Sequence, residues 1–233
     1  MKRILVLLFV ISTSFIIRAD LVMQHQIVGS DWTNDVTTKI HGNKMRSDGT
    51  GKSSRICQIV DLVTHDSCMV MPEQKSVKKT SSEQVAKVME QHGFPSGKDF
   101  IPPKPLDTGK TEMVGGLKTK IYNWSFEKSA GREIRQTLWV AEGFPNYEAI
   151  RIELLKLDHF HNSGLDCGMQ PDFSLLPGMV VKSQTFLSGK SWTTTLISAK
   201  AEPVDSSVFE PPSDYTEWKP PVFHPQVTTN SIK

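Results

Sequence analysis

The run Gly115-Gly116-Leu117-Lys118-Thr119-Lys120-Ile121-Tyr122-Asn123-Trp124-Ser125-Phe126 decides the fold. The paired glycines mark a turn, and Tyr122, Trp124 and Phe126 then fall on one side of a period-two alternation. A charged connection (Glu127, Lys128, Gly131, Arg132) leads into Glu133 to Ala141, where Ile134, Leu138 and Val140 alternate with Arg135, Thr137 and Trp139. Two long, half-buried antiparallel strands are expected here. Phe144-Pro145-Asn146 then opens Tyr147 to Leu157, whose Tyr147, Ile150, Leu154 and Leu157 recur at the spacing of one helix face. A hairpin that passes directly into an amphipathic helix can use that helix to cover the apolar side of its own sheet.

Working outward, the first seventy residues read as an up-and-down meander. Asp20 to Val28 forms a strand with Leu21, Met23 and Ile27 on one side, and Val36 to Ile40 and Lys44 to Asp48 form a hairpin about His41-Gly42-Asn43. Ile56 to Asp61 and Cys68 to Met71 follow, apolar on both faces for part of their length. Ser81 and Gln84 make a capping box for a short helix through His92, with Val85, Val88 and Met89 as its stripe and Gly93 as its stop. Phe94 to Lys110, rich in proline and glycine, reads as a long loop. His159 to Pro171 is irregular. Pro177-Gly178 sets up a last hairpin, Met179 to Leu187 and Trp192 to Lys200, joined at Ser188-Gly189-Lys190. Val204 to Phe209 is turn-like, and Pro211-Pro212 is expected to end the ordered chain.

The N-terminus has a positive start, Met1-Lys2-Arg3, an apolar stretch from Ile4 to Ile17, and Ala19 and Ile17 acceptable at the two positions a signal peptidase reads for cleavage after Ala19. That pattern is a secretory signal, too short for a comfortable membrane span. It implies export to the periplasm or beyond, with residues 1–19 as signal, 20–218 as one domain and 219–233 as a disordered tail. Removing residues 1–19 takes three of the 27 basic residues and none of the 25 acidic ones, which leaves a net charge near −1. No dense basic surface remains, so nucleic acid is not an expected partner. Cys57, Cys68 and Cys167 would meet an oxidising space. Cys57 and Cys68 flank a hairpin turn and could bridge its strands, although pairing about Val63–His65 leaves them slightly out of register. Cys167 would then be a buried small hydrophobe.

Several local motifs, met in this order, are familiar: Gly42-Asn43-Lys44-Met45-Arg46, Gly115-Gly116, Leu138-Trp139-Val140-Ala141, Pro145-Asn146-Tyr147, Leu176-Pro177-Gly178-Met179-Val180-Val181-Lys182 and Val208-Phe209-Glu210-Pro211-Pro212. Together they resemble the bacterial domain-of-unknown-function family 4412. That family is similar in architecture to the LolA/LolB lipoprotein carriers and to the sensor domain of RseB. The resemblance covers nearly all of Asp20 to Trp218. It implies an α+β fold: a curved antiparallel sheet, an incomplete half-open barrel, with a few helices covering its concave face. It also implies an apolar interior able to take an acyl chain. No residue here matches the arginine that gates the LolA-type cavity, so the resemblance extends to binding and not to lipoprotein transfer.

On that basis the expected ligand cavity draws on Met69, Met71, Tyr122, Trp124, Phe126, Trp139, Ile150, Leu154, Met179 and Trp192. Methionine adapts to varied apolar shapes, and an indole at a mouth can stay half wet. Plain core packing is the competing account of the same residues. His159 and His161, near Asp158 and Asp166, lack the second cluster a zinc site needs, and no metal or cofactor is expected. Asp61 with His65 suits a polar turn better than a catalytic dyad, and no nucleophile elbow or phosphate loop is present, so no enzyme is expected. The partner expected is a lipid or acylated ligand. The rival reading is a protein-interaction or stress-sensing module that docks a protein partner.

Overall fold

The structure, a computed structural model, describes residues 20–51, 55–91, 103–128, 132–160 and 170–219. The chain begins with β1 (Leu21–Val28), β2 (Thr33–His41), β3 (Lys44–Gly51), β4 (Arg55–Asp61), β5 (Ser67–Met71) and β6 (Ser76–Thr80). Helix α1 (Ser82–Gln91) precedes β7 (Leu106–Val114), β8 (Leu117–Lys128) and β9 (Arg132–Ala141). Helix α2 (Tyr147–Phe160), β10 (Met179–Leu187), β11 (Lys190–Ala201) and the two-residue β12 (Thr216–Glu217) complete it. The strands form one sheet, ordered β12-β6-β5-β4-β3-β2-β1-β11-β10-β9-β8-β7, in which β12 and β7 are not joined. Two meanders, β1 to β6 and β7 to β11, are welded where β1 pairs with β11, from Leu21 opposite Ala201 to Val28 opposite Thr193. All ladders are antiparallel except that of β12 with β6.

The turn between β7 and β8 explains the double glycine. Gly115 and Gly116 both take positive φ, 57° and 80°, between the paired Val114 and Leu117. That is the tight two-residue connection whose twist suits a hairpin. The capping box also forms: Gln84 N donates to Ser81 Oγ at 3.3 Å and Ser81 N donates to Gln84 Oε1 at 3.0 Å.

Both faces of the sheet carry apolar side chains. One cluster gathers Leu21, Met23, Ile40, Val60, Trp139 and Met179 around Ile150 of α2. A second puts Cys57, Ile59, Val70 and Val77 under Phe209, Val204, Val208 and Tyr215 of the C-terminal segment. Strand β4 therefore feeds alternate residues into different cores, which is why its sequence looks apolar throughout. Arg46 fastens the C-terminal segment by donating to Val208 O at 2.6 Å while it pairs with Asp48. Of the two helices, only α2 enters the main core; the described side chains of α1 belong to no cluster.

The sheet is curved. On a flat sheet β3 and β9 lie five strand spacings apart, roughly 24 Å. Yet Met45 and Ser47 of β3 and Ile134 and Gln136 of β9 border one hollow with α2 beside it. At the far side, Lys156 of α2 donates to Gly42 O in the β2–β3 turn at 2.6 Å and pairs with the buried Glu153.

Four expectations need correction. Residues 106–110, read as loop, begin β7, where lysine and threonine mask the strand pattern. Strand β6 was not anticipated, because its Lys78-Lys79 pair hides an alternation only five residues long. The ordered chain does not end at Pro211-Pro212: Thr216 N donates to Lys75 O at 3.1 Å and Trp218 N to Val77 O at 2.7 Å. Helix α2 runs past Leu157 to Phe160, so His159 is helical. Cys57 and Cys68 are free: Cys57 stands opposite Val70 and Cys68 opposite Ile59, a diagonal and not a bridging pair. The expectations for residues 1–19, 92–102, 161–169 (Cys167 among them) and the tail from 220 lie outside the described residues.

Gly178, just before β10, is a close-approach position. A Cβ there would stand 2.3 Å from the carbonyl oxygen of Ala141, a backbone atom of a fully buried residue. Gly178→Ala should cost about 2–4 kcal/mol in urea denaturation, since relief requires a backbone shift. Gly116→Ala meets open space and should cost only about 1–2 kcal/mol from its left-handed φ. Equal losses for the two variants would contradict this packing.

Candidate functional site

Helix α2 sets the site because its stripe does not spend itself on one surface. Ile150 is buried in the main core, whereas Tyr147, Leu154 and Leu157 turn toward a cavity of about 540 Å³ beneath the sheet. The opposite wall comes from alternate residues of the hairpin β10–β11: Ser183, Thr185 and Leu187 on one strand, Trp192, Thr194 and Leu196 on the other. Thr185 pairs with Trp192 and Ser183 with Thr194, so this wall is a regular strip of one sheet face. Met23 and His25 of β1 and Met45 of β3 extend it beyond the weld.

The β10 bulge between Val180 and Lys182 shapes one part of that wall. Val180 pairs with Val140, then Lys182 with Trp139, which leaves Val181 unpaired. A bulge re-aims consecutive side chains, and Met179, Val181, Lys182 and Ser183 all reach the cavity. The Lys182 ammonium sits 4.3 Å from the centroid of the Trp139 ring. Trp139 is fixed from its other end, where Nε1 donates to Glu112 Oε2 at 2.7 Å.

The lining is mostly apolar with a sparse polar set. Thr38 and Ser47 face each other, their hydroxyls 3.5 Å apart. The charged lining residues are Arg151 and Lys182, and no carboxylate lines the cavity among the described residues. His25 also lines it; burial pulls its pKa down from 6.5 to about 4, so its imidazole is neutral at physiological pH.

Of the expected cavity residues, Leu154, Met179 and Trp192 come together here. Ile150 and Trp139 lie in the adjoining core. Tyr122 packs with Leu138, Val140 and Leu176 in a third cluster. Trp124 borders a separate, more open hollow with Leu106, Arg135 and Phe186, where its Nε1 donates to Pro103 O at 2.8 Å; Phe126 stacks on it. Met69 is 38% exposed between Gln58 and Lys78, and Met71 is half-buried opposite Ser76, both far along the sheet from this wall. Met23 and Leu157 were visible as members of strand and helix stripes; Met45, His25, Leu196, Arg151 and Lys182 carried no signal of their own.

Other candidate chemistry resolves into structure. The Asp61 carboxylate accepts from the backbone of Val63 and Thr64, both at 2.9 Å, and the Thr64 N–H chiefly holds its pKa below the usual range. It closes a turn. Burial pushes the Cys57 thiol up to about 12, the state of an unreactive cysteine. Among the described residues no group of three His, Cys, Asp or Glu side chains converges as a metal site, and no helix is long and apolar enough to cross a membrane. The side chain of His159, and His161 and Asp166, lie outside the described set.

Comparison with known proteins adds a family. The model of the family described as "Domain of unknown function (DUF4412)" matches residues 21–215. The chain belongs to that family. No curated protein matches it. A solved structure assigned as an outer membrane lipoprotein-sorting protein domain from Vibrio parahaemolyticus is similar at 12% identity, over 82% of this chain and 89% of that one, with a TM-score of 0.35.

The depressed His25 pKa has a consequence for stability. The unfolded chain protonates His25 near pH 6.5, but the folded protein resists until about pH 4. Between those values the unfolded state binds more protons, so stability falls as the pH drops through that window and the His25 contribution levels off below it. The loss should amount to roughly 2–3 kcal/mol. His25→Gln should remove that part of the slope in urea titrations at pH 7 and pH 4.5; an unchanged slope would show that His25 is protonated freely in the folded state.

Proposed function

We propose that this member of the DUF4412 family is a binding protein, not an enzyme, and that it holds the hydrocarbon chain of an amphiphile between α2 and the concave side of its sheet. The observation that supports this most is the cavity itself: about 540 Å³, within the range of small-molecule sites, and lined by Met23, Met45, Met179, Leu154, Leu157 and Trp192. Methionine and leucine walls grip a flexible chain without demanding one shape. The unclosed sheet is here a half-open barrel, with α2 as the body it partly encloses. The N-terminal signal pattern puts the protein's work in the periplasm or outside the cell.

The energetics suit reversible loading. Burying about ten methylenes at ~0.8 kcal/mol each gives a gross gain of about 8 kcal/mol. The entropy of association subtracts from that, so the affinity should be no tighter than about micromolar. A carrier needs such a value, since it must release what it binds.

A second reading has one feature in its favour. Among the described residues β7 pairs only with β8, and it leaves Leu106 and Met113 exposed at 70% and 63%. An open strand edge can accept a partner's strand. A protein that crosslinks to β7 and ignores changes in the cavity would favour that reading.

Substitutions that fill the cavity test the first one. Thr194→Phe and Ser183→Leu project extra volume from the β10–β11 wall and should weaken binding of a fluorescent long-chain probe at least about tenfold, with the melting temperature nearly kept. Unchanged binding in well-folded variants would remove this cavity from consideration.

A further inference from the structure

We infer that the amphiphile carries an anionic head group, a carboxylate or a phosphate monoester, and that Arg151 and Lys182 receive it. This rests on the cavity being a binding site, as proposed above, and names the class of its ligand.

The charge census is one-sided. Arg151 and Lys182 line the cavity, and among the described residues no Asp or Glu does. Neither cation is well neutralised by its own surroundings. Among the described residues the acidic partner of Arg151 is Glu148, at 4.0 Å, and that carboxylate is 86% exposed. An ion pair so long and so wet contributes little. Lys182 is half-buried on the π face of Trp139, whose indole N–H holds Glu112, and among the described residues no carboxylate forms an ion pair with its ammonium. A half-buried cation without a counter-charge is costly, and an anion entering the cavity would offset that cost.

Placement agrees with the charge. The Arg151 side chain is 46% exposed, so it stands at the mouth, one helical turn from Tyr147 and close to Leu154, which face inward. Lys182 and Ser183 are neighbours on β10 that both line the cavity, and Ser183, Thr185 and Thr194 supply hydroxyl donors from one strip of the hairpin. Guanidinium, ammonium and hydroxyl groups are the donors that carboxylate and phosphate oxygens accept from. The apolar remainder, Leu157, Leu187, Leu196 and Met45, offers nothing to a head group and suits a tail. A cationic amphiphile would meet two like charges.

Four probes sharing one tail separate the possibilities: laurate, dodecyl phosphate, dodecanol and dodecyltrimethylammonium, titrated by calorimetry into the delipidated protein. Laurate, dodecyl phosphate or both should bind roughly tenfold tighter than dodecanol, and the trimethylammonium probe more weakly still. Whichever anion binds tighter shows whether a free fatty acid or a phosphorylated lipid is the better model. The double variant Arg151→Gln, Lys182→Met should narrow the preference for the anions over dodecanol to about threefold or less. Dodecanol binding as tightly as both anions, or an anion preference that survives the double variant, overturns this inference while leaving the cavity reading in place. Failure of all four probes overturns both.

Discussion

The packing of α2 against one side of an unclosed sheet is the constraint on which the rest depends. Leu21, Met23, Ile40, Val60, Trp139 and Met179 come from five different strands, and each must leave water. A single helix about 10 Å across must serve them all. The sheet can meet it only by curving, and the helix is then held at the far side by Lys156 on Gly42 O. A curved wall and a straight rod do not fit flush. Ile150 fills the place where they touch, and the cavity opens where they part, toward Leu154, Leu157 and the β10–β11 hairpin.

On the other face of the first meander the C-terminal segment packs closely. Phe209 is almost wholly buried over Cys57, Ile59, Val70 and Val77, and the segment that carries it is secured by Arg46, by Lys44 on Glu210 at 2.6 Å and by Asp20 accepting from Val204 N at 2.8 Å. Asp20 immediately precedes β1 and Val204 follows β11, so this last bond reinforces the weld between the two meanders. Close packing of this kind tolerates little change of volume. Stability is thus concentrated on one face, and the face that carries the cavity can be looser without endangering the fold.

Much of this was legible from alternation and stripes. The β8–β9 hairpin, the α2 stripe, the meander from β1 to β5 and the Ser81–Gln84 cap follow from period, turn chemistry and capping, which are local properties. What failed was non-local. Tyr122, Trp124 and Phe126 do share a strand face, and they pair with Leu138, Gln136 and Ile134, of which the last two line the cavity; alternation gives the side a residue takes, not how far across a curved sheet the hollow extends. Tyr122 belongs instead with Leu138, Val140 and Leu176. The bulge at Val181 adds a second obstacle, because it shifts the parity of β10 against β9 between Val180 and Lys182. No sequence rule places that extra residue. Met45 and Leu196 lie more than 150 positions apart in the chain and meet only because β1 pairs with β11.

The composition of the hairpin wall argues that the gap is kept open and is not an accident of packing. Positions 183, 185 and 194 line the cavity with Leu154 and Leu157 of α2, yet they are Ser, Thr and Thr. Valine or isoleucine there would have served a strand equally well and filled more apolar volume. A hydroxyl beside unfilled space keeps a partner only if water or a ligand oxygen can reach it. On the binding reading proposed above, such a wall would suit exchange: water would occupy its polar strip when the cavity is empty, and a ligand's oxygens would take over those hydrogen bonds.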